Sequence, residues 1–258
     1  MKTIILAGGF GTRLAELTAN LPKPMVEIGG KPVLWHILNC YSAHGYNEFI
    51  IALGYKSEVI KKYFLDFYAI NNDLSLDLAS GNTKICAGKQ PPWMVHLVDT
   101  GLTTQTGGRI KRLASRVGGE TFMLSYGDGL SNVDISALVS FHKKHGKLAT
   151  VTAVRPTARF GGLVIKDQQV VEFSEKNQAH EGWVSGGFFV LEPEVFDFIG
   201  TDQTVWEKEP LENLAKSGQL MAFFHDGFWQ PMDTLREQRM LDSLWASGAA
   251  PWKKKNEV

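Results

Sequence analysis

Apolar residues in the first half of the chain follow two periods that alternate along the sequence. Short apolar runs over Lys2 to Ala7, Glu48 to Leu53 and Thr121 to Ser125 predict buried strands. Between these runs, apolar residues three and four positions apart predict helices: Leu34, Ile37, Leu38 and Tyr41, then Ile60, Tyr63, Phe64 and Phe67, then Ile110, Leu113, Ala114 and Val117. Alternating strands and helices favour an α/β fold with a mostly parallel, Rossmann-like twisted sheet flanked by helices. In such a sheet the binding crevice lies at the carboxyl ends of the strands.

The pattern changes near residue 148, where the predicted strands become shorter and lie closer together. A helix with Ile135, Leu138, Val139 and His142 on one face precedes strands over Leu148 to Val154, Leu163 to Ile165, Val170 to Phe173 and Trp183 to Leu191. This half is expected to form a smaller, more antiparallel lobe that ends in a helix. Glycine, proline and polar residues from Asn71 to Pro92 indicate an insertion around a β-hairpin. We interpret residues 1–258 as one domain with two lobes, 1–147 and 148–258.

Composition narrows the classes of function. The 258 residues include 27 basic and 27 acidic side chains. The chain therefore has no net positive charge that would attract nucleic acid or a membrane surface. The two cysteines, Cys40 and Cys86, lack the spacing of a zinc site or a disulfide scaffold. No apolar run reaches the length of about 18 residues that spans a bilayer, and no leader peptide is recognised. A cytoplasmic protein without nucleic-acid or membrane partners is expected.

A glycine loop follows the first predicted strand. Gly8, Gly9 and Gly11 let backbone N–H groups approach an anion, because no Cβ blocks the way. Arg13 lies within this loop, and Lys23 follows between two prolines. The loop lacks the Gly-Lys-Ser/Thr ending of a Walker A motif and the third glycine of a dinucleotide fingerprint, so both are excluded. The forked guanidinium and the compact ammonium together favour a polyphosphate, with two ordinary surface residues as the alternative.

Charged residues elsewhere are candidate ligands. Asp128, in Tyr-Gly-Asp-Gly, suits an oxygen ligand for magnesium or, equally, a plain Asp-Gly turn. Asp233, just before the last helix, is a second candidate ligand or an acid that caps the helix. Glu175 and Lys176 follow Gly161 along the chain and are either ligand contacts or a solvated ion pair.

Taken in order, these motifs resemble the sugar-1-phosphate nucleotidyltransferase family. The resemblance extends over essentially the whole chain and rests on Gly-Gly-Phe-Gly-Thr-Arg-Leu at 8–14, Pro-Lys-Pro-Met at 22–25, Gly127–Asp128, Glu175–Lys176 and Asp233. The stretches Met-Val-Glu-Ile-Gly-Gly-Lys-Pro at 25–32 and Gln-Pro-Met-Asp-Thr at 230–234 are most similar to its cytidylyl subgroup. The resemblance implies a magnesium-dependent reaction in which CTP and glucose 1-phosphate give CDP-glucose and pyrophosphate.

The resemblance also implies a role for each motif. Arg13, Lys23 and Asp128 would be catalytic, with Arg13 facing the leaving pyrophosphate and Lys23 bridging the α-phosphate and the incoming phosphate. Asp128 and Asp233 would hold magnesium. The nucleotide would contact Leu6, Ala7, Gly8, Gly9, Phe10, Gly11, Thr12, Arg13, Lys23, Thr104, Arg109 and Asp128, and the sugar phosphate would contact Gly161, Glu175 and Lys176. Residues 1–147 would be mainly the nucleotide-binding lobe and residues 148–258 mainly the sugar-phosphate lobe, in a homo-oligomer.

Three alternatives remain open. Another member of the family would use UTP or dTTP in place of CTP. A nucleotide-sugar glycosyltransferase shares an α/β nucleotide fold and a carboxylate-held metal, but its usual Asp-x-Asp motif is absent from this sequence. A catalytically silent nucleotide-sensing module is disfavoured by the full set of cations and carboxylates.

Overall fold

One seven-stranded sheet organises the fold. The computed structural model describes residues 1–14, 18, 20–86, 88, 90–156, 162–166, 169–174 and 182–253. Within these residues the strands are β1 (Thr3–Leu6), β2 (Glu27–Ile28), β3 (Lys31–Pro32), β4 (Glu48–Leu53), β5 (Asp73–Asp77), β6 (Asn82–Cys86), β7 (Met94–Asp99), β8 (Phe122–Tyr126), β9 (Gly129–Ser131), β10 (Ala149–Val154), β11 (Gly162–Lys166), β12 (Gln169–Ser174), β13 (Val184–Leu191), β14 (Leu220–His225) and β15 (Trp229–Pro231).

The strand order in the large sheet is β14-β10-β13-β8-β1-β4-β7. Neighbouring strands run parallel except at β13, which is antiparallel to both β10 and β8. At the centre, Ile5 of β1 pairs with Ile51 of β4 on one side and Ser125 of β8 on the other. Four antiparallel pairs, β2–β3, β5–β6, β9–β15 and β11–β12, lie outside this sheet. The carboxyl ends of β1, β4, β7 and β8 therefore meet at one edge of the molecule.

Helices cover both faces of the sheet. Within the described ranges they are α1 (Val33–Ser42), α2 (Ser57–Ile70), α3 (Thr106–Arg112), α4 (Ala114–Val117), α5 (Ile135–His145), α6 (Glu209–Lys216) and α7 (Leu235–Ala246). Their ends follow local chemistry: the Asp134 side chain caps α5 by accepting a hydrogen bond from Ala137 N at 2.9 Å, and Gly146 ends it with φ +63°. No helix of the described chain is both long and apolar enough to cross a membrane.

Side chains of the central strands alternate between two apolar cores. Ile5 and Ile51 pack into the core that contains residues of α1, α2, α5 and α7. Ile4 and Ile50 face the opposite core, with residues of α3, α4 and α6. All four isoleucines are fully buried. Because these parallel strands are covered on both faces, they need apolar residues at consecutive positions, which explains the runs seen in the sequence.

The structure confirms the α/β class and differs from the predicted elements in detail. The helix predicted over Ile110 to Val117 is divided at Leu113, whose N–H donates to Ile110 O at 3.0 Å in a tighter, i−3 bond. Strands β10 and β13 belong to the main sheet, so both predicted lobes contribute strands to it. The edge strands β7 and β14 and the helix α6 were not predicted.

Candidate active site

A cleft of about 530 Å³ opens at the carboxyl ends of β1, β7 and β8. Its lining comprises residues 6–12, 23–24, 102–106, 109, 126–128 and 207. Loops that follow three parallel strands thus form the walls, as expected for a ligand crevice in an open α/β sheet. Every residue predicted to contact nucleotide lines this cleft, apart from Arg13. Arg13 lies in the 3-10 turn Thr12–Leu14, and its side chain lies outside the described part of the structure.

The three glycines of the loop after β1 have different surroundings. A Cβ on Gly9 would meet nothing within 4 Å, so the backbone there is open on the side of the cleft. A Cβ on Gly8 would collide with the guanidinium of Arg109. Gly11 has φ +65°, and its carbonyl accepts a hydrogen bond from Thr18 Oγ1 at 3.1 Å. The loop therefore uses glycine for an open face, for a close approach and for a left-handed turn.

Arg109 lies beneath the glycine loop and is 4% exposed. Its guanidinium donates to the carbonyls of Leu53 (2.9 Å), Gly101 (2.7 Å), Gly8 (3.0 Å) and Leu102 (3.3 Å), and to Thr100 Oγ1 (2.8 Å). Burial lowers the pKa of this arginine, and nearby Asp99 acts in the opposite direction. The contacts tie the loop after β1, the last residue of β4 and the loop after β7 to one cation. Thr104, the other predicted contact from this segment, is also buried in the cleft wall.

Lys23 joins two carboxylates at the other side of the cleft. Its Nζ lies 2.5 Å from Asp128 Oδ2 and 2.6 Å from Asp233 Oδ1. Burial lowers the pKa of Lys23, but the attraction and hydrogen bond of Asp128, followed by those of Asp233, outweigh burial and raise the pKa above its ordinary value. The lysine is therefore an ammonium ion at neutral pH, and the three groups form a compact charged cluster.

Backbone pairing brings Asp233 to Asp128 from more than a hundred residues away. Strands β9 and β15 pair antiparallel, with Pro231 opposite Gly129. The ladder is extended by Met232 N, which donates to Asp128 O at 2.9 Å. Thr234, and not Asp233, caps α7 in a capping box with Glu237. The helix-cap alternative for Asp233 is therefore wrong, and its carboxylate is directed to Lys23.

The same two carboxylates fit a magnesium ion. Magnesium in nucleotide sites is usually bound by one or two carboxylates together with substrate phosphates and water. Here two carboxylate oxygens already contact a single cation, the ammonium of Lys23, at the rim of a cleft with a glycine loop. Within the described residues no group of three or more His, Cys, Asp and Glu side chains forms a metal cluster. The donor set thus suits a cation shared with a bound phosphate.

Glu207 is a cleft residue that the sequence analysis missed. Its carboxylate accepts hydrogen bonds from Tyr126 Oη and Thr106 Oγ1, each at 2.6 Å. Burial, followed by the negative charge of Glu207, raises the pKa of Tyr126. Nothing local in the segment Thr-Val-Trp-Glu indicates this role, because the contacts form between residues 81 and 101 positions apart.

Three predicted sugar-phosphate contacts, Gly161, Glu175 and Lys176, lie outside the described residues. The structure describes the backbone of the adjoining hairpin, in which Gly162 of β11 pairs with Ser174 of β12.

The sequence is similar to known proteins over nearly its whole length. The family described as nucleotidyl transferase matches residues 2–234. The chain belongs to this nucleotidyltransferase family. It is 53% identical to the glucose-1-phosphate cytidylyltransferase of Salmonella typhimurium over 254 residues, which cover 98% of this chain and 99% of that protein. It is 45% identical to a probable glucose-1-phosphate cytidylyltransferase of Bacillus subtilis, with the same coverage.

Solved structures share the fold of this nucleotidyltransferase. A putative glucose-1-phosphate thymidylyltransferase from Bacillus anthracis has a TM-score of 0.70 at 17% identity, covering 100% of this chain and 98% of its own. HddC from Yersinia pseudotuberculosis has a TM-score of 0.69 at 22% identity, covering 95% and 99%. These similarities extend over the whole mixed α/β architecture.

Proposed function

We propose that this nucleotidyltransferase is a glucose-1-phosphate cytidylyltransferase. It would transfer CMP from CTP to α-D-glucose 1-phosphate and give CDP-glucose and pyrophosphate. The observation that carries the proposal is the Lys23–Asp128–Asp233 cluster, which lies at a cleft of about 530 Å³ lined by a glycine loop. Near-full-length similarity to two proteins with that printed activity supports the choice of substrates.

The reaction needs little acid–base chemistry. A phosphate monoester has a second pKa of about 6, so the attacking oxygen of glucose 1-phosphate is already mostly ionised at neutral pH. The main barrier is repulsion between anions that must come into line at the α-phosphorus. A site that supplies fixed positive charge and orientation can lower this barrier.

Lys23 is the residue best suited to supply that charge. Its ammonium lies at the cleft lining and is held by two carboxylates, so it is positioned before substrates bind. We assign it to the α-phosphate of CTP and to the incoming phosphate. Arg13, on the glycine loop, is assigned to the leaving pyrophosphate.

Magnesium would be held by Asp128 and Asp233. When bound, it supplies a Lewis acid that neutralises phosphate charge. The chain itself then orients the substrates: residues 6–13, Thr104 and Arg109 bind the nucleotide, and Gly161, Glu175 and Lys176 bind the sugar phosphate. The buried Arg109 keeps the nucleotide loops in register through their carbonyls.

A homo-oligomer is part of the proposal. Six large apolar side chains are exposed on α2 and on the β5–β6 hairpin, two elements that contact each other, and we term this set the outer apolar edge: Leu65, Tyr68, Ile70, Leu74, Leu76 and Leu78. A large exposed apolar surface usually marks an interface. We infer that a second copy of the chain covers this edge and that the enzyme works in the cytoplasm.

Pyrophosphate release tests the proposed function. The purified protein with magnesium should release pyrophosphate from CTP only when glucose 1-phosphate is present, and mass spectrometry should identify CDP-glucose. Parallel reactions with UTP and dTTP separate the cytidylyltransferase from its relatives. Faster turnover of UTP or dTTP than of CTP would show that the protein has the activity of another member of the family. Absence of pyrophosphate with every triphosphate would favour a glycosyltransferase or a sensing module.

A further inference from the structure

The ammonium of Lys23 lies where the two proposed magnesium ligands converge. It contacts one oxygen of each aspartate, at 2.5 and 2.6 Å. The three side chains are largely shielded from water, with exposed fractions of 11% for Lys23, 29% for Asp128 and 14% for Asp233. Shielding from solvent strengthens the attraction between the charges. The two carboxylates thus have a strongly held cation that belongs to the chain itself.

Magnesium and the ammonium compete for the same oxygens. Magnesium binds oxygen at about 2.0 to 2.1 Å and must first shed part of its tightly held water. An ion entering this site alone would be repelled by Lys23, or would displace it and leave a buried ammonium without its partners. An uncompensated buried charge is strongly unfavourable. Free magnesium is therefore at a disadvantage at this pair of carboxylates.

A triphosphate changes this balance. It brings several negative charges into the cleft beside Lys23, and these offer the ammonium a new partner. A triphosphate in solution also carries magnesium on its own oxygens, so the metal arrives partly dehydrated and partly neutralised. The ammonium would then pair with phosphate, and the two carboxylates would be left to hold the metal that the triphosphate carries.

We propose that Lys23 is a resident counter-cation that makes the Asp128–Asp233 pair accept divalent metal efficiently only together with a triphosphate. The choice of CTP as that triphosphate rests on the proposed function. The competition between Lys23 and the metal does not, since it follows from the charge of Lys23 and its contacts with both aspartates.

Manganese binding tests this inference without catalysis. Manganese replaces magnesium as a spectroscopic probe, and electron paramagnetic resonance measures how much of it stays free when protein is added without nucleotide or sugar. Lys23→Met should bind manganese tighter than the parent by about tenfold or more, the effect of removing one positive charge in contact with both ligands. Lys23→Arg, which keeps the charge, should bind as weakly as the parent.

Two control variants test whether the gain in manganese affinity arises at the Lys23–Asp128–Asp233 cluster. Lys62 also contacts an aspartate, with Nζ 2.7 Å from Asp66 Oδ2, but on the exposed surface of α2. Lys62→Met should therefore leave manganese affinity unchanged. Adding Asp128→Asn to Lys23→Met should abolish the gain, because one ligand of the new site loses its charge.

The triphosphate arm uses α,β-methylene CTP, which is not cleaved at the α-phosphorus. It should increase manganese binding by the parent beyond the sum of separate binding to protein and analogue, and it should do so less in Lys23→Met.

Circular dichroism checks folding, and Lys23→Gln replaces the methionine variant if that variant unfolds. Equal manganese affinity in the parent and a folded, uncharged Lys23 variant would overturn the inference. Failure to form CDP-glucose would contradict the proposed function alone.

Discussion

Charged residues usually lie at the surface and large apolar residues in the core, but two regions of the molecule show the reverse. In the cleft, charged residues are buried: taken over the whole residue, Arg109 is 4% and Lys23 9% exposed. On the outer apolar edge, apolar side chains face outward, with Leu65 80% and Leu78 91% exposed. Burying a charge is costly unless it is paired, and each cleft cation has close oxygen partners. The apolar edge shows the converse, apolar side chains exposed to water, which we propose a second copy of the chain covers.

We propose separate functions for the two regions. In the cleft, pairing fixes the position of the buried charges that we propose act on phosphate, because a paired ion moves little. Exposed leucines contribute no chemistry but can drive association. Substitutions in the cleft should therefore change turnover and leave assembly intact, whereas substitutions on the edge should do the reverse.

The largest effect is expected for Lys23→Ala. Loss of a preorganised positive charge that acts in the transition state should lower kcat by about a hundredfold or more, equivalent to about 2.7 to 4 kcal/mol. Steady-state kinetics of pyrophosphate release measures this. Lys62→Ala, which removes a lysine from an exposed ion pair, is the matched control and should retain parental kcat. A kcat within a few-fold of the parent would remove Lys23 from the catalytic groups.

Asp128→Asn and Asp233→Asn should raise the magnesium concentration needed for half-maximal activity. Amides keep the shape of the side chains but lose the ligand charge. We expect the larger effect at Asp128, and size-exclusion chromatography should show unchanged assembly for both variants. Magnesium titration of activity provides the measurement, with Asp66→Asn on the surface of α2 as control. If Asp233→Asn and the parent gave the same curve, Asp233 would not be a ligand.

Leu76→Asp should weaken the oligomer while a dissociated chain keeps its fold. Leu74 and Leu76 lie on one face of the hairpin because side chains two positions apart share a face, whereas Ser75 lies on the other. Ser75→Asp is therefore the matched control and should leave the molecular mass unchanged. Light scattering coupled to size-exclusion chromatography gives that mass for each variant. Unchanged mass for Leu76→Asp would remove the hairpin from the interface.

The smallest effect concerns a buried histidine outside both regions. His36 is 2% exposed, with Nε2 2.8 Å from Ile28 O and Nδ1 3.3 Å from Trp252 Nε1. Burial lowers the pKa of His36 to about 4 from 6.5, so the folded state favours the neutral ring. The stability it contributes is present above pH 6.5 and is lost as pH falls from there toward 4. Between about pH 7 and pH 5.5 the loss should be about 1 kcal/mol.

Urea unfolding at a series of pH values measures this dependence. His36→Gln cannot titrate, so its free energy of unfolding should depend less on pH over the same interval. An equal pH dependence for the variant and the parent would show that other groups control acid stability.

Some of this architecture could be predicted from local sequence. The apolar run at β4 predicted both ends of the strand correctly, because a strand buried on both faces leaves a continuous signal. The edge strand β7 was missed because its side chains are mostly half-buried and Met94 is exposed. The division of the third predicted helix at Leu113 was also missed, since apolar spacing is nearly the same in a helix and in two short helices joined by a tight turn.

The residues of the site, too, could be predicted only where the signal is local in the sequence. The glycine loop and Lys23 could be found because their residue types are unusual at that spacing. The collision that requires glycine at position 8 could not, because the guanidinium comes from Arg109. Glu207 likewise reaches the cleft through contacts with Tyr126 and Thr106, and no local pattern records such long-range contacts.

An isotope experiment tests the central claim, that the phosphate of the sugar attacks the α-phosphorus of the nucleotide. Glucose 1-phosphate labelled with ¹⁸O in its phosphate oxygens is incubated with CTP, magnesium and the protein, and the products are followed by ³¹P NMR and mass spectrometry. We predict that all of the label is retained in CDP-glucose and that the released pyrophosphate is unlabelled. Label in free phosphate or pyrophosphate, or unlabelled CDP-glucose, would contradict the account.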